Sequence, residues 1–187
     1  MADSTPDGDA WLVVIDPQVI FASPESDWGS PMFAAIVPRV HALARGFTGR
    51  VVVTRFVAPA SPQGSWADYY AQWPFARVED SDPLYAVVPE LASLAAGAHV
   101  VTEPTFGKWG AALREIVGAT PRLVVTGVST DCCVIATALA AADAGARVTV
   151  VSDACAGSTP DDHAAALRVM SLFEPQITLT TTAELLA

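Results

Sequence analysis

Leu123-Val-Val-Thr-Gly-Val-Ser-Thr-Asp-Cys-Cys-Val-Ile-Ala-Thr137 passes from a β-branched apolar run, through a short polar turn, into an alanine-rich stretch. Residues 123–126 read as a strand ending at Gly127. Residues 131–144 read as a helix stopped by Gly145. A continuous apolar run with no polar alternation is a strand covered on both faces, the signature of a parallel sheet. A helix directly behind it is the return half of a β-α-β crossover.

Working outward, the same run recurs at 11–15, 50–54, 98–102, 148–152 and 176–180. Helical patterns lie between the runs. One covers 32–47, a second covers 87–96 and stops at Gly97, and a third covers 109–117 and stops at Gly118. A further helix opens at Thr159. Its hydroxyl suits the cap, Pro160 suits the first helical position, and Asp161 and Asp162 suit the positive end of the dipole. This alternation predicts an α/β doubly wound three-layer sandwich with a six-stranded, mainly parallel sheet in the order 3-2-1-4-5-6, formed as one domain over residues 1–187. One segment breaks the rhythm. Residues 56–84 hold four prolines together with Trp66, Tyr69, Tyr70, Trp73 and Phe75. That much aromatic surface predicts an ordered excursion, covering a site or forming part of a subunit contact.

Composition excludes several classes. The formal net charge is −10 with only 10 Lys and Arg, so no basic face exists to neutralise phosphates, and neither nucleic acid nor an anionic membrane is expected as partner. No apolar stretch approaches the ~18 residues a membrane span needs. The start of the chain is short, polar and acidic and has no secretory pattern, which predicts a cytoplasmic protein. The three cysteines, Cys132, Cys133 and Cys155, form neither a disulfide framework nor a CxxC pair, and the three histidines are scattered. No metal and no cofactor is expected.

In an open α/β sheet, ligands bind beyond the carboxyl ends of the strands where the strand order reverses. There the first strand delivers Asp16, the second Arg55, the third Lys108 and the fourth Cys133. Asp16 and Cys133 then face one another across the switch point. A cysteine attacks as thiolate, and the start of a helix favours negative charge. Lys108 adds a cation, and Asp16 is placed to take the thiol proton and return it to a leaving group. The backbone N–H groups of Ser129 and Cys133 are candidate oxyanion donors. Neighbours on an α-helix point about 100° apart, so only one of Cys132 and Cys133 is expected to face the crevice. Asp131 reads as a cap, Cys155 as core packing and His163 as exposed. Phe21, Trp66, Tyr70 and Trp73 are candidate substrate walls. Arg55 reads equally as a bidentate partner for a substrate carboxylate or as half of a structural ion pair.

These junctions resemble the isochorismatase-like cysteine hydrolases, a superfamily that includes nicotinamidases and N-carbamoylsarcosine amidases. The matching pieces are Leu12-Val-Val-Ile-Asp16-Pro-Gln18, Phe106-Gly-Lys108-Trp, Thr126-Gly-Val-Ser-Thr-Asp-Cys-Cys133-Val-Ile-Ala-Thr137 and Val151-Ser-Asp-Ala-Cys-Ala156, which span nearly the whole chain. The resemblance implies a catalytic triad of Asp16, Lys108 and Cys133, and selects Cys133 over Cys132 because the family's nucleophile precedes the valine matched by Val134. It also implies a cis peptide before Ser129 and a homodimer or larger homo-oligomer. The metal-binding histidines that nicotinamidases carry after the second strand have no counterpart in 54–66, so the chain resembles a metal-free branch. True isochorismatases lack the nucleophilic cysteine, and Cys133 argues against their vinyl-ether chemistry.

The expected function is hydrolysis of a C–N bond in a small amide or carbamoyl substrate through a Cys133 acyl-enzyme. Two other classes stay open: a non-catalytic small-molecule-binding protein of the same fold, and a thiol redox protein using Cys132 and Cys133. Loss of turnover on removing Cys133 separates the first, and mass measurement with and without reductant separates the second.

Overall fold

Successive side chains of a strand point to opposite faces, and the first strand shows why both are covered. In β1 (Trp11–Ile15), Leu12 and Val14 enter one core and Val13 and Ile15 the other. The computed structural model describes residues 8–187; the segment 1–7, which carries most of the acidic start read above, lies outside the described residues.

The chain continues as α1 (Val19–Ala22), α2 (Phe33–Ala44), β2 (Val51–Phe56), α3 (Ser65–Gln72), α4 (Pro89–Ala96), β3 (His99–Glu103), α5 (Ala111–Val117), β4 (Arg122–Val128), α6 (Ile135–Asp143), β5 (Arg147–Ala156), α7 (Pro160–Met170), β6 (Ile177–Thr180) and α8 (Thr182–Leu185). All strand pairs are parallel, in the order β3-β2-β1-β4-β5-β6. On one face, Phe33, Ile36, Val40 and Leu43 of α2 and Leu91 of α4 pack on Leu12, Val14, Val51 and Val53. On the other, Leu113 of α5, Ala138 and Ala141 of α6 and Met170 of α7 pack on Val13, Ile15, Val125 and Val150. The order reverses between β1 and β4.

The edges depart from the expected pattern of strands buried on both faces. Val100 of β3 is 50% exposed, and β6 buries only Ile177 fully. An edge strand has a neighbour on one side only, so its apolar residues cover less than the same residues would in the centre. Strands β4 and β5 also run past their expected ends. Gly127 and Val128 still pair with Cys155 and Ala156, across an irregularity after Val125. Asp153 therefore lies inside a strand and not at its end. It accepts from the Thr182 N–H at 2.7 Å and pairs with Arg39 at 3.0 Å.

The predicted helix 131–144 is two pieces. A π-helical turn, Thr130–Val134, precedes α6, and Ser129 O accepts from both Cys132 N (3.0 Å) and Val134 N (3.1 Å). The helix after β5 begins as its sequence specifies, with Thr159 Oγ1 accepting from Asp162 N at 3.1 Å. The Val128–Ser129 and Glu174–Pro175 peptides are cis.

The excursion contains its own helix, α3, and short 3₁₀ turns at Pro74–Ala76 and Pro83–Tyr85. It is fastened to the sheet by two buried side chains. Gln18 Nε2 donates to Phe56 O (3.0 Å) and Tyr85 O (2.8 Å), while its Oε1 accepts from Phe56 N (2.7 Å). The Tyr85 hydroxyl accepts from Ala58 N at 3.0 Å and donates to Ala76 O.

Candidate active site

Asp16 follows β1 with φ at +42°, the only positive φ outside glycine among the described residues. Such a conformation is uncommon for a side-chain-bearing residue and persists where surrounding bonds hold it. Thr54, at the end of the neighbouring strand, holds this one twice. Its Oγ1 accepts from Asp16 N at 3.0 Å and donates to Asp16 Oδ1 at 2.6 Å. The other carboxylate oxygen, Oδ2, lies 3.1 Å from Lys108 Nζ. Both side chains are wholly buried.

Lys108 is the only lysine in the chain. It arrives from the edge strand β3 through the turn at 104–110, far from where β3 itself points. Its Nζ donates to Thr105 O at 2.6 Å and lies 5.2 Å from the centre of the Phe56 ring. A buried ammonium survives only with a counter-charge and satisfied protons, and Asp16 and Thr105 supply these. Thr137 of α6 ties this turn to the cysteine. Its Oγ1 accepts from Lys108 N at 2.9 Å and donates to Cys133 O at 2.6 Å.

Cys133 is 3% exposed, and its thiol lies near enough to Asp16 and Lys108 to feel both charges. Burial first, and then the Asp16 charge, raise its pKa well above the ordinary thiol value; Lys108 opposes them. The helix start and Lys108 were expected to favour the thiolate; burial and the Asp16 charge act in the opposite direction.

The cavity at the end of the sheet has a volume of about 370 Å³ and is lined by Phe21, Trp28, Phe56, Tyr69, Trp73 and Phe106, with Asp27, Gly29, Ser129, Cys132, Cys133 and Ser158. Ser129 and Cys133, the residues nominated for the oxyanion, both border it. So does Cys132, against the expectation that only one of the pair would. The π-helical turn is wider than an α-turn, so two adjacent residues border one cavity from different sides. The Cys132 thiol is pushed up to about 12 by burial and by Asp131. Asp131 does not cap its own helix. Its carboxylate accepts from Ser158 N (2.8 Å) and Ser158 Oγ (2.7 Å), closing the β4 corner onto the β5 corner. His163 is not free in solvent: its Nδ1 lies 2.8 Å from Thr130 Oγ1.

Of the candidate walls, Phe21 and Trp73 line the cavity and Trp66, Tyr70 and Arg55 do not. Trp66 stacks on Tyr70 and leans on Phe106, which braces α3 against the Lys108 turn. Tyr70 is buried behind it. Arg55 pairs with Asp80 at 2.6 Å, the structural alternative considered for it. At the end of β2 the residue that turns toward Asp16 is Thr54. A charged neighbour drew the sequence reading one position too far, onto the opposite face of the strand. Trp28, Tyr69, Phe56 and Phe106 were not nominated as walls. Tyr69 sits one position from Tyr70, and its selection depends on the rotation of α3, which no periodicity in so short a helix specifies. Among the described residues, no group of three or more His, Cys, Asp or Glu is placed to hold a metal ion.

Residues 10–184 match the family model for the isochorismatase domain. No curated protein matches the sequence. The fold is similar to that of a cysteine hydrolase from Pseudomonas syringae pv. phaseolicola 1448A, at 21% identity and TM-score 0.80 over 95% of this chain and 91% of that one. It is similar to an isochorismatase family protein from Desulfovibrio vulgaris subsp. vulgaris str. Hildenborough, at 21% identity and TM-score 0.78 over 95% and 96%. It is also similar to the nicotinamidase/pyrazinamidase PncA from Bacillus subtilis, at 19% identity and TM-score 0.72 over 92% and 99%.

Proposed function

Because the chain belongs to the isochorismatase family, we propose that it is a cysteine hydrolase that cleaves the C–N bond of a small amide or carbamoyl substrate. One observation carries the reading: Cys133 borders an aromatic cavity within reach of the charges of Asp16 and Lys108, which pair with each other at 3.1 Å.

The resting thiol keeps its proton until a carbonyl arrives. Asp16 then accepts the proton as the Cys133 Sγ–carbon bond forms, and the carbonyl π pair moves onto oxygen. The N–H groups of Ser129 and Cys133 receive that oxyanion. Asp16 returns the proton to the nitrogen as the C–N bond breaks, releasing ammonia or an amine and leaving a thioester. Water attacks the thioester, giving its proton to Asp16. Collapse releases the acid and returns the proton to sulfur. Lys108, paired with the Asp16 carboxylate at 3.1 Å, holds it in place for each of these transfers.

Cys133→Ala is expected to abolish ammonia release from every amide the wild type cleaves, while its circular dichroism and melting curve stay those of a folded protein. Turnover undiminished in that variant would end the proposal. The same reading needs a small-molecule substrate and neither nucleic acid nor membrane, places the enzyme in the cytoplasm, and expects a homodimer or larger assembly. Supporting assembly, Leu172 and Phe173 after α7 stand 78% and 43% exposed. Leu172→Glu is expected to lower the mass measured by sedimentation.

A further inference from the structure

The cavity is built to reject one kind of substrate. No lysine, arginine or histidine lines it among the described residues. Lys108 lies behind the wall, wholly buried and neutralised by Asp16. Arg55, the residue that would otherwise meet a carboxylate, is held by Asp80. A substrate carboxylate entering here would lose its water and find no counter-charge.

What the cavity offers instead are aromatic rings and one carboxylate. Trp28 joins the lining rings: Phe21 lies parallel to it (5° between planes), Phe56 and Trp73 stand across it at 76° and 64°, and Tyr69 is tilted beside it. An aromatic face presents the negative side of its quadrupole to a cation. Asp27, next in sequence to Trp28 and exposed, is the only carboxylate lining the cavity among the described residues. Asp131 lies behind Ser158, which also lines the cavity. The whole chain carries a formal charge of −10.

We infer that the substrate of this site is an amide whose far end is a small organic cation, an alkylated ammonium held by the aromatic lining beside Trp28 and by Asp27. The inference rests on the amidase reading for its reacting end only; the aromatic lining is argued independently of the chemistry at Cys133.

Three benzamides of equal length test it: 4-(trimethylammonio)benzamide, its neutral isostere 4-tert-butylbenzamide, and 4-carboxybenzamide. Ammonia release by the wild type is compared with binding to Cys133→Ala, read by quenching of tryptophan fluorescence. The cationic amide is expected to bind and turn over about tenfold better than the isostere, with the carboxylate weakest, and Asp27→Asn is expected to cut the cationic-to-neutral ratio by about fivefold. If the neutral amide equals or exceeds the cationic one, if the ratio survives Asp27→Asn, or if none of the three binds, the cationic substrate is wrong. If the binding order holds but no ammonia appears from any of them, the cation site stands and the amidase reading fails.

Discussion

Asp16 and Lys108 are each tolerable in the interior only because of the other. Removing one partner of a buried pair leaves an unpaired charge without water, at a cost of about 3–5 kcal/mol. Lys108→Met is therefore expected to lower the urea midpoint sharply as well as abolish turnover. Adding Asp16→Asn to it is expected to restore much of the stability and none of the activity, because the double variant has no charge left to bury. If Lys108→Met alone melted like the wild type, the pairing described for the folded state would be wrong. The distinction between Thr54 and Arg55 is decided at the same scale. One residue's shift along a strand changes the face of the sheet, and with it the choice between orienting Asp16 and pairing with Asp80.

Among the elements, the excursion is the piece whose placement makes the cavity. It contributes Tyr69 and Trp73, and its attachment runs through the Tyr85 hydroxyl and Gln18. Tyr85→Phe keeps the ring and its packing but strands the Ala58 N–H and the Ala76 carbonyl. A cost of about 1–3 kcal/mol is expected. Because the released segment carries cavity walls, KM is expected to rise more than kcat falls, and limited proteolysis is expected to cut first within 57–84. Cleavage elsewhere would place the weak point outside the excursion. The corner between β4 and α6 works by the opposite means, close approach. Gly127 has φ at +110°, and a Cβ there would lie 2.2 Å from Ile15 O, so the two strands that flank the switch point touch only because that residue has no side chain.

For the molecule as a whole, the buried thiols set an alkaline limit. Burial pushes Cys155 up from 9.0 to about 12. A group whose pKa is raised by folding stabilises fully below its unfolded value and loses that contribution as pH climbs toward the folded one. The window here is therefore pH 9 to about 12, with no effect near neutrality. At about pH 10.5 the loss from Cys155 alone is about 2 kcal/mol. Urea midpoints are expected to fall between pH 8 and about 10.5, and to fall less in Cys155→Ala, which has one thiol fewer to ionise. An equal fall in that variant would mean that other groups govern the alkaline limit.

Read as a string, the chain determined its layers, because a run such as Val51-Val52-Val53 has no polar face to turn outward and so demands cover on both sides. It marked Asp16, Lys108 and Cys133 at the ends of strands, because they interrupt patterns that would otherwise continue as core or loop, and the fold pairs Asp16 with Lys108 at 3.1 Å. The Thr159 cap was legible for the same reason: its bonds are made within three residues. Only the tertiary structure decided what depends on contacts between segments far apart in sequence. The protonation of Cys133 depends on how completely its neighbours exclude water. The partner of Arg55 lies 25 residues away. The aromatic lining beside Trp28 is assembled from α1, β2, the excursion and the Lys108 turn, and no local period records where such segments will meet. Long-range packing sets the environment of a residue, and environment, more than identity, sets its charge and its reach.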